Sequence, residues 1–491
     1  MGGPEKLERR RGAGAPLDAR QRVARLLDAG SFVELGTLVG GRRVPADAFV
    51  AGSGTVDGRP VMVGAEDFTV LGGTIGGGSN AKRHRLAELA LLDRLPLVML
   101  LEGAGYRAER ASGRSPVDLM AQARCSGFVP LVTAVLGPSA GHGALIAPMS
   151  DFTVMTERAA IFTAGPPVVH ESTGEVVSKE DLGGPSVALA SGLVHNVVDD
   201  DEAALAMVRT YLSYFGSSAW SYPPRAGDPA GRPPDAPPGA GGPERDTGPR
   251  PLDELAAIVP RDQRKVYDMR RVLCLLVDQG DWLEIQPRYG GSILCGLARL
   301  GGDPVAVVAN QPQVLAGAID AAAADKAAHF ITVADAFHLP LVFLADNPGM
   351  LPGTVSERAG VLRSGARMFA AQTLATSPKL HVTLRKAYGF GSMVMSMVSF
   401  DSQSATFAFP GATLGAMGAG ASIRASGAAG DEAGEIRQAE LDASYRSAAG
   451  LGFDELIDPR ELRTALLAAL RRSLSRRQAP AGPVRHSAIT P

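Results

Sequence analysis

The residues of this chain best suited to chemistry are glycines at turns rather than acids, bases or thiols. Two kinds of turn each occur twice. The first follows an apolar run: Glu102-Gly103-Ala104-Gly105-Tyr106-Arg107 in one half and Asp346-Asn347-Pro348-Gly349-Met350 in the other. The second ends a longer apolar run in small residues that should open a helix. It reads Gly137-Pro138-Ser139-Ala140-Gly141-His142-Gly143 in the first half and Ala387-Tyr388-Gly389-Phe390-Gly391-Ser392 in the second. Glycine permits positive φ and close approach of backbone to a ligand. The first amides of a helix have no internal partner and carry partial positive charge. Two such amides, one from each turn, would hold an oxyanion, and losing one donor from such a hole costs ~10²–10³ in rate. This chemistry needs no catalytic side chain, which agrees with the absence of a Gly-x-Ser-x-Gly elbow, a P-loop or a metal-spaced histidine pair. Any one of these turns alone is better read as a tight strand–helix corner with glycine for packing; the recurrence of both in both halves favours the oxyanion site.

The elements that must position these turns are themselves repeated. Leu95-Pro-Leu-Val matches Leu339-Pro-Leu-Val, an offset of 244 (339 − 95), and Pro60-Val61 matches Pro304-Val305 in the same register. Val70-Leu71-x-Gly73 and Val314-Leu315-x-Gly317 also lie 244 apart, whereas Gly30-Ser-Phe-Val-Glu-Leu and Gly280-Asp-Trp-Leu-Glu-Ile are offset by 250. Ordered matches of this kind indicate duplication of a whole domain. Residues 60–65, 97–102 and 131–136 are brief and apolar, as strands are, and 80–94 has helical periodicity. In the second half, 320–337 reads as an Ala-rich helix feeding a strand at 341–345. The pattern is α/β with buried strands. Between the halves, residues 216–250 are dense in Pro and Gly and read as an extended connector, the competing reading being a loop packed on one domain.

Composition removes several classes. The 491 residues exceed one ordinary core, and a formal net charge of −2 gives no global attraction to nucleic acid or anionic membrane. No apolar run is long enough to span a bilayer. The basic, Gly-rich N-terminus lacks a secretory core. Cys125, Cys274 and Cys295 form no Cys-x-x-Cys pair, and with no signal segment the expected location is the cytoplasm.

On these residues a family resemblance rests. Gly103-Ala104-Gly105 followed by Gly137-x-x-x-Gly141-x-Gly143 resembles the two-part oxyanion hole of the crotonase superfamily. Whole segments resemble the β (carboxyltransferase) subunits of propionyl-CoA and acetyl-CoA carboxylases: Asp67-Phe-Thr-Val-Leu-Gly-Gly, Asp151-Phe-Thr-Val-Met, Ala309-Asn-Gln-Pro, Asn347-Pro-Gly-Met-Leu-Pro-Gly and Gly452-Phe-Asp-Glu-Leu-Ile-Asp-Pro-Arg. The resemblance spans about residues 18–475 apart from the connector. It implies two duplicated crotonase-like (ββα-spiral) α/β domains, 18–215 on the acyl-CoA side and 251–475 on the biotin side, with flexible ends at 1–17 and 476–491. It implies carboxybiotin on a partner carrier protein as CO₂ source, an acyl-CoA as acceptor, and no metal. Partners would be a biotin carboxylase and carrier subunit, since this chain has no Met-Lys-Met attachment sequence and no ATP-binding motif. A homo-oligomer, a hexamer built as a trimer of dimers, is implied as well.

Residue by residue, the resemblance assigns the thioester oxyanion to Gly141-His142-Gly143 with Ala104 and Gly105. It assigns the biotin ureido oxygen to Gly389-Phe390-Gly391 with Pro348 and Gly349. Lys386 would steer anionic carboxybiotin, and Met393 and Tyr106 would tune the acyl group. Where the family commonly has Gly-Gly-Ala, this chain has His142 and Phe390, which add bulk. Arg83, His84 and Arg85 are weaker candidates for CoA phosphates, the alternative being a solvated face. His170 and His195 have no metal-like spacing. Two competing functions remain: a decarboxylase or transcarboxylase on a malonyl-type thioester, and a non-catalytic acyl-CoA-binding scaffold.

Overall fold

The computed structural model describes residues 16–41, 43–107, 117–226, 247–397, 402–477 and 480–484. Of these, the described residues up to 222 and those at 482–484 fall in one compact unit; those at 223–226 and the described residues from 247 to 481 fall in another. The expected flexible ends lie largely outside the described residues.

In the first unit the strands are β1 (Val33–Leu35), β2 (Phe49–Val56), β3 (Arg59–Glu66), β4 (Leu97–Gly103), β5 (Leu131–Ala140), β6 (Phe152–Thr156), β7 (Ala160–Phe162) and β8 (Asn196–Val198). They form one sheet in the order β1-β2-β3-β4-β5-β6-β8, with β7 beside β5. The second unit has β9 (Trp282–Ile285), β10 (Ile293–Leu300), β11 (Asp303–Asn310), β12 (Leu341–Asn347), β13 (Lys379–Tyr388), β14 (Gln403–Ala408), β15 (Thr413–Gly415) and β16 (Glu455–Leu456). Its order β9-β10-β11-β12-β13-β14-β16, with β15 beside β13, repeats the first strand for strand. The first three strands of each sheet pair antiparallel and the remainder parallel. The duplication read from the sequence is thus a duplication of topology.

Local chemistry explains the shared geometry. The β2–β3 hairpin turns on Asp57 and Gly58, both at positive φ, the requirement of a two-residue turn matched to strand twist. Asp28 Oδ2 accepts from Gly58 N at 2.8 Å and its carboxylate also meets Arg209. In the second unit Gly301 and Gly302 take that turn, their N–H groups donate to Asp278 at 2.9 and 2.7 Å, and Arg463 supplies the cation. Behind each sheet runs a helix, Gly77–Asp93 and Ala321–Ala336. Each buries a lysine 244 residues apart (326 − 82): Lys82 Nζ donates to Phe49 O, and Lys326 Nζ to Tyr289 O. β4 and β12 are buried along their whole length, as strands covered on both faces must be.

The last strand before each helix-opening turn is longer than its apolar run. β5 continues four residues past Leu136 because it changes partner, pairing with β6 over Val132–Val135 and with β7 over Pro138–Ala140. β13 does the same with β14 and β15. The turn of interest forms directly after this second pairing.

The ends of the expected connector are docked. Trp220 stacks on Phe128 with centroids 5.8 Å apart, and the Arg94 guanidinium lies 4.3 Å from the Trp220 ring centroid. Arg225 pairs with Asp303 and donates to Gly301 O, while Arg463 Nε donates to Gly248 O. An aromatic ring and guanidinium groups anchor this stretch despite its proline content. Residues 227–246 lie outside the described residues.

Candidate functional site

Each unit presents the same pair of turns at the carboxyl ends of its central parallel strands. Gly105 and Gly349 follow β4 and β12 at φ +85° and +114°; Gly141 and Gly389 follow β5 and β13 at +55° and +56°. Short bridges fix the first turn of each pair, Ile75 with Tyr106 and Ile319 with Met350. The helices Gly141–Ala144 and Gly389–Val394 begin without a side-chain cap. Their opening amides, those of His142 and Gly143 and of Phe390 and Gly391, have no partner among the described residues. A Cβ on Gly105 would lie 3.1 Å from Ala140 O, and one on Gly391 would lie 2.6 Å from Gly349 Cα. The two turns are in contact within each unit, and glycine is needed for that approach.

The amides are spent differently in the two units. Ala104 N donates to Gly72 O at 2.9 Å, which removes Ala104 as an oxyanion donor. The Gly105 N–H has no partner among the described residues. In the second unit Pro348 has no N–H, and Gly349 N donates to Asn347 Oδ1 at 3.0 Å. The expected donors at Pro348-Gly349 are therefore committed or missing. In the first unit the amides without a partner among the described residues come from both turns, Gly105 with His142 and Gly143. In the second unit only the helix-opening pair Phe390 and Gly391, of the amides considered, is without a partner among the described residues.

Side chains around the turns also depart from expectation. The Lys386 ammonium is buried and lies 3.0 Å from Asp346 Oδ1, while Arg385 Nε and Tyr267 Oη donate to Asp346 Oδ2. A lysine committed in this way has no free charge for steering an anion. Arg83 is likewise buried: its Nη1 meets Glu66 Oε1 at 2.9 Å and its Nε meets Asp118 Oδ2 at 2.6 Å. It does not face solvent as a phosphate ligand would. Its neighbour Arg85 pairs with Glu88 on the exposed face. His195 is a core histidine, Nδ1 accepting from Thr153 N at 2.9 Å. Tyr106 and Met393 are exposed by 55% and 45%, available to a ligand.

Sequence reasoning missed Glu66 and Asp118. Burial raises the Glu66 carboxyl, against the opposing charge of Arg83 and the Glu102 N–H. Burial also acts to raise Asp118, but hydrogen bonding from His142 and the charge of Arg83 outweigh it and hold this carboxyl low. Asp118 Oδ1 lies 2.5 Å from His142 Nε2, and Tyr106 meets the His142 ring edge-on with centroids 5.6 Å apart. No group of three or more potential metal ligands occurs among the described residues.

Duplicated units of this strand order, each with a glycine turn packed against a helix-opening turn, define a protein of the crotonase-like class. The carboxyl transferase domain family model matches residues 12–486, and the chain belongs to that family, which includes the carboxyltransferase subunits of biotin-dependent acyl-CoA carboxylases. It is 36% identical over 502 residues to the methylmalonyl-CoA carboxyltransferase 12S subunit of Propionibacterium freudenreichii subsp. shermanii, covering 97% of this chain and 92% of that one. It is 36% identical over 509 residues to the propionyl-CoA carboxylase beta chain of Saccharopolyspora erythraea, covering 97% and 91%. The solved transcarboxylase 12S hexamer, with methylmalonyl-coenzyme A and methylmalonic acid bound, superposes with a TM-score of 0.88 at 33% identity, covering 100% of this chain and 96% of that one. No helix among the described residues is long and apolar enough to cross a membrane.

Proposed function

We propose that this chain moves a carboxyl group between carboxybiotin, borne by a separate carrier subunit, and the α-carbon of an acyl-CoA. The observation that carries this reading is the set of unspent amides at Gly105, His142 and Gly143 in one unit and at Phe390 and Gly391 in the other. In this reading the first set holds the thioester oxygen as negative charge develops on it. The second set holds the ureido oxygen of biotin. Donors fixed by the fold need no reorganisation when that charge appears, which makes such holes effective. Biotin supplies the carboxyl group and handles the α-proton, so the chain itself needs to bind, orient and stabilise.

The cleft would form between the first unit of one subunit and the second unit of another, in an assembly like the hexamer of the transcarboxylase 12S relative. Met393, exposed on the helix after β13, is proposed to line the acyl pocket, where a flexible thioether accommodates varied chains. The biotin carboxylase and carrier functions would come from a partner subunit.

Co-purification with a biotinylated subunit, then ATP- and bicarbonate-dependent carboxylation of acyl-CoAs of graded length, tests the reading. The expected result is carboxylation that requires the partner, with a chain-length preference shifted by Met393→Asp. Tight acyl-CoA binding without carboxyl exchange with any biotinylated partner would favour a scaffold instead.

A further inference from the structure

The glycine turns that follow β4 and β12 share one backbone frame. Ile75 N donates to Gly105 O at 2.8 Å and Ile75 O accepts from Arg107 N at 2.7 Å. Ile319 N donates to Gly349 O at 3.1 Å and Ile319 O accepts from Leu351 N at 2.8 Å. Beyond this frame the two turns differ. In the second unit Asn347 fastens the turn from inside by accepting from Gly349 N, which spends that amide. Its counterpart in the first unit is Gly103 (347 − 103 = 244), which has no side chain for the purpose. The Gly105 N–H is left without a partner among the described residues, and the first turn is fastened from outside.

The fastening is Arg107, which stands where the second unit has Leu351 (351 − 107 = 244). Its guanidinium donates to Thr74 O at 2.9 Å and to Thr74 Oγ1 at 3.2 Å, and its Nη1 meets Asp47 Oδ1 at 2.7 Å. Asp47 is buried, and its other oxygen, Oδ2, accepts at 2.5 Å from Ser79 N, 32 positions later, in the first turn of the helix Gly77–Asp93. In the duplicate helix that duty falls to a local residue. Asp320, the N-cap, accepts from Ala323 N at 2.9 Å, and these positions correspond to Gly76 and Ser79 (320 − 76 = 323 − 79 = 244). The first unit has thus given up a local cap for an acidic residue that also carries Arg107.

Placing Asp47 there strains the backbone. Ala46, Asp47 and Ala48 lie in succession at φ 54°, 49° and 60°, a left-handed run that residues with a Cβ rarely adopt. Their counterparts are Gly290, Gly291 and Ser292, of which only Gly290 has a positive φ. Strained backbone persists where its surroundings over-determine it. Here the Lys82 ammonium holds both ends of the run, donating to Ala46 O and Phe49 O. Gly76 and Gly78 leave room for the pair: a Cβ on either would lie 3.0 and 2.8 Å, respectively, from Asp47 Oδ2. The duplicate forms the same turn with no strained run and no ion pair, so the fold itself does not call for them.

We propose that Asp47 and Arg107 are a positioning pair for carboxyl transfer, fixing the first turn while leaving the Gly105 N–H unspent for the thioester oxygen. The inference rests on the thioester placement under the proposed function. Neither side chain is assigned to the reacting atoms. Asp47 acts through Arg107, and Arg107 acts through Thr74 and through the backbone of its own turn. A donor aimed in advance needs no reorganisation when charge develops, which is the benefit that offsets the strain. The second unit spends the equivalent amide on Asn347 and dispenses with the pair.

The test uses the full chain with its biotinylated partner and, as acceptor, whichever of acetyl-, propionyl- and hexanoyl-CoA the wild type carboxylates fastest. Asp47→Asn keeps an acceptor for Ser79 N and a residue type that tolerates left-handed backbone, but removes the charge facing Arg107. Arg107→Met removes the guanidinium. Each should lower kcat ~10²-fold, the cost of misplacing a fixed donor, with the Kd for the acyl-CoA, read by calorimetry, unchanged. Because the two residues act as one unit, the double variant should be no slower than the slower single variant. Arg107→Lys, which keeps the charge but not the planar fork, should recover part of the loss. Wild-type kcat in both folded single variants, or a weakened Kd with kcat unchanged, overturns the proposal. So does a double variant whose loss is the product of the single losses. If neither single variant folds, Arg107→Lys decides: a lowered kcat at unchanged Kd supports the pair, and wild-type turnover overturns it. Wild-type chain that binds acyl-CoA but transfers no carboxyl group with any biotinylated partner overturns the thioester placement instead, and this inference with it.

Discussion

Gly391 and Gly349 are in backbone contact: a methyl group on Gly391 would lie 2.6 Å from the Gly349 Cα and 2.7 Å from Asn347 Oδ1. Neither obstacle is the end of a flexible side chain, because Asn347 is itself bonded to Gly349 N and to Asn310. Gly391→Ala should therefore push the helix-opening amides of Phe390 and Gly391 off line. The expected loss is ~10²–10³ in kcat for carboxyl transfer, the size of a lost oxyanion donor. Overpacking should cost a further ~1–3 kcal/mol of stability. Steady-state kinetics beside urea unfolding separates the two effects. A folded Gly391→Ala with wild-type kcat would show that this close approach has no part in turnover.

The Arg83 guanidinium bridges two buried carboxyls, meeting Glu66 Oε1 at 2.9 Å and Asp118 Oδ2 at 2.6 Å. Arg83→Met removes it and leaves Glu66 with the Glu102 N–H and Asp118 with His142 and Gln122, but neither with a guanidinium. Breaking a buried pair from one side costs ~3–5 kcal/mol, and urea unfolding at neutral pH should show a loss of that order. Burial already favours the protonated form of Glu66. The variant's deficit should therefore shrink as pH falls and the carboxyls take up protons. A deficit independent of pH would place the cost in packing rather than charge.

Asp151 gives a second pH signature of the opposite kind to an ordinary surface carboxylate. Burial pushes it from 3.8 to about 7, with the Leu131 N–H opposing. The folded state thus holds this proton more tightly than the unfolded chain. Its contribution to stability is fully present below about 4 and is lost as pH rises through about 7. A separation of that size corresponds to roughly 4 kcal/mol. Asp151→Asn, which can still accept from Leu131 N, should gain on the wild type as pH rises between these limits. The quantity to measure is the difference between the two unfolding free energies at each pH, which cancels the titration of all other groups. A flat difference would mean that Asp151 titrates as it does in the unfolded chain.

Much of this architecture was legible because duplication writes the same residues twice. The segments at 95 and 339 mark β4 and β12, and the glycines after them mark the turns. The spending of individual amides was less legible. Ala104 N is taken by Gly72 O, a partner 32 positions earlier that only the folded turn brings near. Gly349 is different, because an Asn side chain commonly bonds the backbone two residues on, and Asn347 does so. That signal was present in Asn347-Pro348-Gly349. Arg83 was misread because a basic run hides its periodicity. Lys82 and Arg83 share the buried face with Leu86, Ala87 and Ala90, whereas Arg85 and Glu88 lie outside. Nothing in the sequence separated Asp118 from an ordinary acid in the first turn of a helix.

The division of donors between the two units leads to a test of where the cleft forms. Gly143→Val should disable the thioester hole, since even a methyl there would meet Glu66 Oε1 at 2.8 Å. Gly391→Val should disable the biotin hole by collision with Gly349. Each variant alone should transfer almost no carboxyl groups. If one subunit supplies the first hole and another supplies the second, a mixed dimer has one site carrying both lesions and one carrying neither. Random mixing during co-expression should then restore about a quarter of wild-type activity, as expected for a two-fold arrangement with shared sites. Carboxyl exchange, measured on mixed assemblies isolated by two different tags, reads this directly. If both holes of a site belong to one chain, every site keeps a lesion and mixing restores nothing. The sign of the result depends on subunit geometry alone, and neither substitution changes the charge of the protein.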